Sequence, residues 1–261
     1  MAKLTVNNVS LGFDDAGQGG PPFVFIHGLA CDRSAWRPQF DDLSRDHRCI
    51  SIDLRGRGES QATPPYDTTQ QEDDVAELLR ALQVDQAIVV GHSLGGITAL
   101  LLNERHPELV RAVVAGDSPI NPAALGGNLP AALREAGSTA PLEPLLGRFW
   151  TDGTSAEVQK TVRAMMLGCP PEVAAGMLDN GVGGESRMTE LVKLADRKPF
   201  MTIWAERPLG NPAWLREVTM FLRQEPVAGA GHFFQLEQPA ITNALLRAFL
   251  DDVARDPRVA V

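Results

Sequence analysis

Short apolar runs bounded by turn residues alternate along this chain with stretches in which apolar side chains recur every three to four positions, the periods of buried strands and of helices lying on a sheet. Phe23–Ile26, Cys49–Ile52 and residues 88–90, 112–115 and 199–204 read as strands. Between them, Trp36, Phe40 and Leu43, then Val75, Leu78, Leu79 and Leu82, then Ile97, Leu100 and Leu101 mark helical faces. Thr68-Thr69 reads as the cap of the second of these, Pro107 ends the third, and Ile241, Leu245, Ala248 and Phe249 mark the sheet face of a last helix opened by Pro239. Residues 4–13 alternate loosely about Asn7-Asn8, which predicts a hairpin. Late in the chain a helical stretch over 214–222 precedes a short strand about 226–228, and residues 256–261 read as a frayed tail. Strands and helices alternating at this spacing need right-handed crossovers, so the pattern predicts an α/β fold with a mostly parallel central sheet flanked by helices.

From residue 121 to 196 the pattern breaks. Prolines and glycines interrupt short helical pieces around 142–146, 158–167 and 173–178, and no strand is evident. Residues 121–196 therefore read as a helical insertion over the strand ends, with 1–120 and 197–261 forming the core domain. An insertion so placed can act as a lid and hold a specificity pocket. Phe149, Trp150, Met165, Met166 and Met177 are its candidate walls; Trp150 and Met166, with Phe233 from a late loop, are the expected substrate contacts.

Composition narrows the function classes. The 261 residues, 44% hydrophobic, suffice for one large core. A net charge of −9 without a Lys/Arg cluster argues against a nucleic-acid partner, because phosphate recognition needs a basic face. The N-terminal stretch lacks the apolar core of a signal peptide and no run reaches membrane-spanning length, so a cytoplasmic protein without a membrane partner is expected, as a monomer or homodimer. Cys31, Cys49 and Cys169 are odd in number and lack metal-ligand spacing, which suits reduced, partly buried thiols. The glycine-rich stretch 53–60 lacks both the lysine of a P-loop and the glycine order of a dinucleotide site. It reads as a structural loop tied by Asp53 and Arg55, and no metal or organic cofactor is expected.

The chemistry concentrates at residues 87–96, where an apolar run stops at Gly91, exposes Ser93 and changes at once to helical period. A serine at so tight a corner needs strained dihedrals, and the residues two before and two after it must be small for strand and helix to pass; Gly91 and Gly95 occupy those places. Gly91-x-Ser93-x-Gly95 is the pattern of a nucleophile elbow. A serine there can also simply cap the following helix. Sites on parallel sheets lie at the carboxyl ends of strands, and His27-Gly28-Leu29, Ser93 and Asp117 all fall there.

Four landmarks in order, His27-Gly28, Asp53-x-Arg55-Gly56-x-Gly58-x-Ser60, Gly91-His92-Ser93-Leu94-Gly95-Gly96 and Gly231-His232 before a terminal helix, resemble the α/β-hydrolase superfamily over nearly the whole chain. The resemblance implies the α/β-hydrolase fold with a helical lid, Ser93 as nucleophile and His232 as its base. It places the oxyanion between the backbone N–H groups of Leu29 and Leu94. His27 would brace the oxyanion loop and His92 would sit under the elbow, with His47 and His106 at the surface. The acid departs from the family pattern, since Ala205-Glu206-Arg207-Pro208 puts proline where the usual aspartate falls. Asp117 is the preferred acid and Glu206, expected in a solvated pair with Arg207, the alternative.

The expected activity is cleavage of a carboxylic ester or lactone of a small molecule through an acyl-enzyme. A serine nucleophile disfavours the haloalkane dehalogenase and epoxide hydrolase branches, which use aspartate. Carbon–carbon bond hydrolases, lyases, cofactor-free dioxygenases and small-ligand receptors with little turnover share the fold and stay open at this stage.

Overall fold

A computed structural model of the chain describes residues 2–121, 127–179 and 184–259. Eight strands form one sheet in the order β1-β2-β4-β3-β5-β6-β7-β8: Ala2–Val6 (β1), Val9–Ala16 (β2), Phe23–Ile26 (β3), Cys49–Ile52 (β4), Ala87–His92 (β5), Val110–Gly116 (β6), Phe200–Trp204 (β7) and Arg223–Pro226 (β8). Asn7 and Asn8 both take positive φ, 47° and 60°, which turns β1 back on β2. The β1–β2 and β2–β4 pairs are antiparallel and the rest parallel.

The helices are Arg37–Leu43 (α1), Thr68–Ala81 (α2), Leu94–Arg105 (α3), Leu129–Ala136 (α4), Glu143–Arg148 (α5), Ala156–Leu167 (α6), Pro171–Met177 (α7), Glu185–Ala195 (α8), Pro212–Val218 (α9), Phe234–Glu237 (α10) and Pro239–Arg255 (α11). Strand residues alternate between two apolar layers, as a pleat requires. Phe23, Phe25, Ile88 and Val90 pack with Trp36, Leu43, Leu246 and Phe249 under α1 and α11. Val24, Ile26 and Val89 pack with Val75, Leu79, Ile97 and Leu101 under α2 and α3, and this layer runs on into the helices between β6 and β7. No helix among the described residues is long and apolar enough to cross a membrane.

The described part of 121–196 is made of helices joined by turns, with no strand, and α4 and α8 add to the three pieces that the sequence pattern marks; residues 122–126 and 180–183 lie outside the described set.

Several local expectations are corrected. Asp67, one residue earlier than expected, caps α2, its carboxylate accepting from the N–H groups of Thr69 and Gln70. The last helix turns its neighbouring face to the sheet: Thr242, Leu246, Phe249 and Val253 are buried while Ile241 is 46% exposed. Thr242 can be buried because its hydroxyl donates to Gln238 O at 3.0 Å. Strand β8 lies at 223–226, ahead of the apolar 226–228, because an edge strand needs only backbone partners on β7. The expected tail is tied down as far as Arg258, which pairs with Asp256, donates to Asp196 O at 2.7 Å and stacks 4.6 Å over the Phe221 ring. Residues 260–261 are outside the described set.

Asp53 and Arg55 each secure the glycine-rich loop, though not by meeting. Asp53 accepts from the backbone N–H groups of Arg33 and Glu59, both at 2.8 Å, and pairs with the Arg33 guanidinium. Arg55 makes a buried two-point pair with Asp74 at 2.5 and 2.6 Å. Nor are His47 and His106 plain surface residues. His47 sets its ring edge-on to Phe23, and His106 sits between Arg80 and Glu72.

Candidate active site

Ser93 stands between the end of β5 and the start of α3 with φ 54° and ψ −122°, a conformation that L-residues with a Cβ rarely adopt. Its N–H is held by Gly116 O at 2.8 Å. A Cβ on Gly91 would lie 2.1 Å from Gly95 O, and one on Gly95 would lie 2.5 Å from the carbonyl oxygens of Ile26 and His27, so backbone meets backbone at both positions. Ser93 makes no capping hydrogen bond to α3, which removes the capping role as the reason for a serine here.

His232 and Asp117, 115 residues apart, meet through Nδ1 and Oδ2 at 2.7 Å. Asp117 is wholly buried at the end of β6 with φ 37°, and its other oxygen accepts from the N–H groups of Leu209 at 3.2 Å and Ala205 at 3.4 Å. These donors fix the orientation of the side chain, and Oδ2 is left to accept from Nδ1–H of His232, the tautomer that frees Nε2. Nε2 of His232 is left without a partner among the described residues. Glu206 is exposed and its carboxylate accepts from Gly229 N–H at 3.0 Å, with no hydrogen bond to His232 among the described residues. Arg207 does not hold Glu206 but donates to Trp150 O at 3.1 Å.

Leu94 opens α3, where a backbone N–H has no intrahelical acceptor. Leu29 lies in the turn closed by Cys31 N–H to Gly28 O, and its own N–H makes no bond among the described residues. His27 fixes that turn: Nδ1–H donates to Gly28 O at 2.9 Å, and Nε2 accepts from Leu54 N–H at 3.0 Å. His92 donates through Nε2 to His232 O at 2.9 Å, its ring 4.5 Å from that of His232. Burial pulls the pKa of both His27 and His92 below the ordinary histidine value, so both stay neutral.

Ser93 and His232 line one cavity of about 340 Å³, walled mainly by apolar side chains. Of the expected contacts, Met166 and Phe233 line it, as does Phe149; Trp150, Met165 and Met177 do not. Trp150 packs from behind against Phe149 and Phe233, with centroids 6.4 and 6.3 Å away. Leu145, Arg148, Leu178, Leu209 and Cys31 also line the wall, and nothing in their spacing marks them beforehand. Burial pushes the Cys31 thiol far up, so it is no thiolate at neutral pH.

Away from the cavity, Glu72, Asp73 and His106 bring ligand atoms within 4.8 Å of one another. Arg105 already pairs with both carboxylates, and Arg80 donates to His106 Nδ1 at 2.7 Å, so the cluster is occupied by cationic side chains.

The order of strands, the serine corner at the end of the central strand and the histidine loop after β8 are those of an α/β-hydrolase fold. Residues 21–134 match a family model described as the alpha/beta hydrolase fold. The 2-(acetamidomethylene)succinate hydrolase of Mesorhizobium japonicum is 34% identical over 116 residues, 44% of this chain and 41% of that protein, so the match spans less than half of the relative. The enol-lactonase of Burkholderia xenovorans superimposes with a TM-score of 0.84 at 22% identity, covering 96% of this chain and 100% of the other. An esterase of Thermogutta terrifontis gives 0.82 at 23%, covering 97% and 98%. At such identities these two structures speak to the fold. The chain has the α/β-hydrolase fold.

Proposed function

We propose that the chain is a serine hydrolase cleaving a carboxylic ester or lactone of a small molecule through a Ser93-His232-Asp117 triad and an acyl-enzyme. One observation carries the reading: the buried 2.7 Å contact between His232 and Asp117 turns a histidine toward the same cavity into which a strained, uncapped Ser93 opens. Ser93 Oγ attacks the carbonyl carbon and passes its proton to Nε2 of His232, while Asp117 holds Nδ1–H and offsets the imidazolium charge. The oxyanion accepts from Leu29 and Leu94 N–H groups, each such donor worth about 3–4 kcal/mol in the transition state. The carbon–oxygen bond then breaks, and His232 returns its proton to the leaving alkoxide, which in a lactone stays tethered as a hydroxyl. A water molecule, deprotonated by His232, attacks the acyl group and frees Ser93. These steps need no metal or organic cofactor. Helices α4–α8 act in this reading as the lid, with Met166 contributing substrate contact, and Phe233 adds a wall from the histidine loop.

The test is labelling with a fluorophosphonate, located by peptide mass, together with turnover of p-nitrophenyl esters. Wild type should carry the label on Ser93, and Ser93→Ala should lose the label and about 10⁴- to 10⁶-fold in kcat with thermal stability unchanged. Turnover by Ser93→Ala within tenfold of wild type removes the reading.

A further inference from the structure

The catalytic cavity has a single Lys or Arg side chain in its wall among the described residues, that of Arg148. It is the last residue of α5, and it precedes Phe149, whose ring also lines the cavity and lies 4.2 Å from the ring of His232.

Its neighbours do not neutralise it. Of the four arginines in residues 121–196, Arg134 pairs with Asp179, Arg163 with Glu143 and Arg187 with Glu104, while Arg148 has no carboxylate. Glu143, at the other end of α5, gives both oxygens to Arg163 at 2.6 and 2.7 Å. Every aspartate and glutamate of the chain lies among the described residues, so no undescribed side chain supplies the missing partner. In a chain of net charge −9, where acids outnumber bases, an arginine left unpaired at an apolar cavity has its five donors available to whatever enters.

We infer that Arg148 is a specificity residue that receives a carboxylate carried by the substrate, so that the preferred substrate is an ester or lactone with an apolar body and a second, anionic end. The inference rests on the hydrolase reading above and deepens it. A guanidinium matches a carboxylate through two parallel N–H donors; Arg148 is itself exposed while it lines the cavity, so it can take the anionic end at the solvent side as walls such as Leu145, Met166 and Leu209 take the apolar body. A neutral ester of the same length fills the same walls and leaves the guanidinium to solvent.

The experiment compares the mono-p-nitrophenyl ester of adipic acid with p-nitrophenyl heptanoate, a neutral ester of matching length. It uses wild type, Arg148→Gln and Arg148→Lys, and it reads the ratio of the two kcat/KM values within each variant so that any loss common to both substrates cancels. Wild type should favour the anionic ester, Arg148→Gln should lower the ratio by about ten- to a hundredfold, and Arg148→Lys should restore part of it. A ratio equal within twofold across the three proteins overturns the inference while leaving the hydrolase reading intact. Calorimetric binding of adipate itself separates the two further, because it needs no turnover. Binding weakened about tenfold or more in Arg148→Gln sustains the inference even if neither ester is hydrolysed; equal binding by wild type and Arg148→Gln overturns it.

Discussion

The main-chain N–H of His232 donates to the carbonyl oxygen of Phe149 at 2.9 Å, so the histidine loop is pinned to the segment that joins α5 to α6. Two threonines of that segment add to the strap. Thr151 Oγ1 donates to Gly229 O at 2.9 Å, and Thr154 Oγ1 donates to Glu237 Oε2 at 2.7 Å, an oxygen that also accepts from Gly231 N–H at 3.0 Å. The orientation of His232 therefore depends on helices outside the sheet core as well as on Asp117.

Thr154→Val keeps the side-chain shape and deletes the hydroxyl, leaving the Glu237 carboxylate with Gly231 N–H alone and taking the acceptor from Thr151 N–H. Urea denaturation should register a loss of about 1–3 kcal/mol, and kcat should fall with it as the histidine loop loosens. Stability within about 0.3 kcal/mol of wild type would mean that the strap carries no load.

The acid assignment separates on two conservative changes. Asp117→Asn keeps the volume but can present an N–H to Nδ1, which selects the wrong histidine tautomer, and kcat should fall about 10⁴-fold. Glu206→Gln, in an exposed loop where the carboxylate accepts from Gly229 N–H, should stay within about tenfold of wild type. A large loss at Glu206 and none at Asp117 would transfer the role.

Met166 and Trp150 should part company in the same manner. Met166 faces the cavity, so Met166→Ala should enlarge it and move preference toward longer acyl chains, read as a shift in the kcat/KM series for p-nitrophenyl esters. Trp150 supports Phe149 and Phe233 from behind, so Trp150→Ala should lower the melting temperature by several degrees and change the rank order of substrates little. An altered rank order in Trp150→Ala alone would reverse the assignment.

Glu72 sets a pH dependence remote from the cavity. Burial pushes its carboxyl from 4.5 up to about 7 against the opposing pull of Arg105, with Asp73 adding a further upward push. An acid whose folded pKa lies above its unfolded value holds a proton that the unfolded chain has released, so its contribution to stability falls as pH rises through that interval. Between pH 4.5 and about 7 the melting temperature of Glu72→Gln should therefore rise relative to wild type, with the difference levelling off above. A difference that shrinks over the same interval would mean that the ion pair with Arg105 outweighs burial.

What was legible in the sequence is what depends on neighbours along the chain. The elbow declares itself because Gly91, Ser93 and Gly95 must let one strand and one helix cross within a few residues, and no distant partner can relax that demand. Asn7-Asn8 declares a hairpin because both positions need positive φ. The buried strands show as apolar runs because both of their faces are covered. Strand β8 is placed about three residues late because an edge strand is held by backbone bonds on one side and may carry Arg-Gln-Glu-Pro. The sheet face of α11 shifts by one position because apolar residues occur on two adjoining stripes, and only packing against α1 selects between them. The acid is of the same kind. Asp117 and Glu206 are both carboxylates near strand ends, and the local sequence ranks them only weakly. The choice follows from the N–H groups of Leu209 and Ala205 converging on Asp117 and from His232 arriving beside it, contacts made across 92, 88 and 115 residues of chain. Residue types and their spacing thus determined the fold and the strained serine corner, whereas the partner of the histidine, the cavity wall and the unpaired Arg148 were decided by which distant segments the sheet brings together.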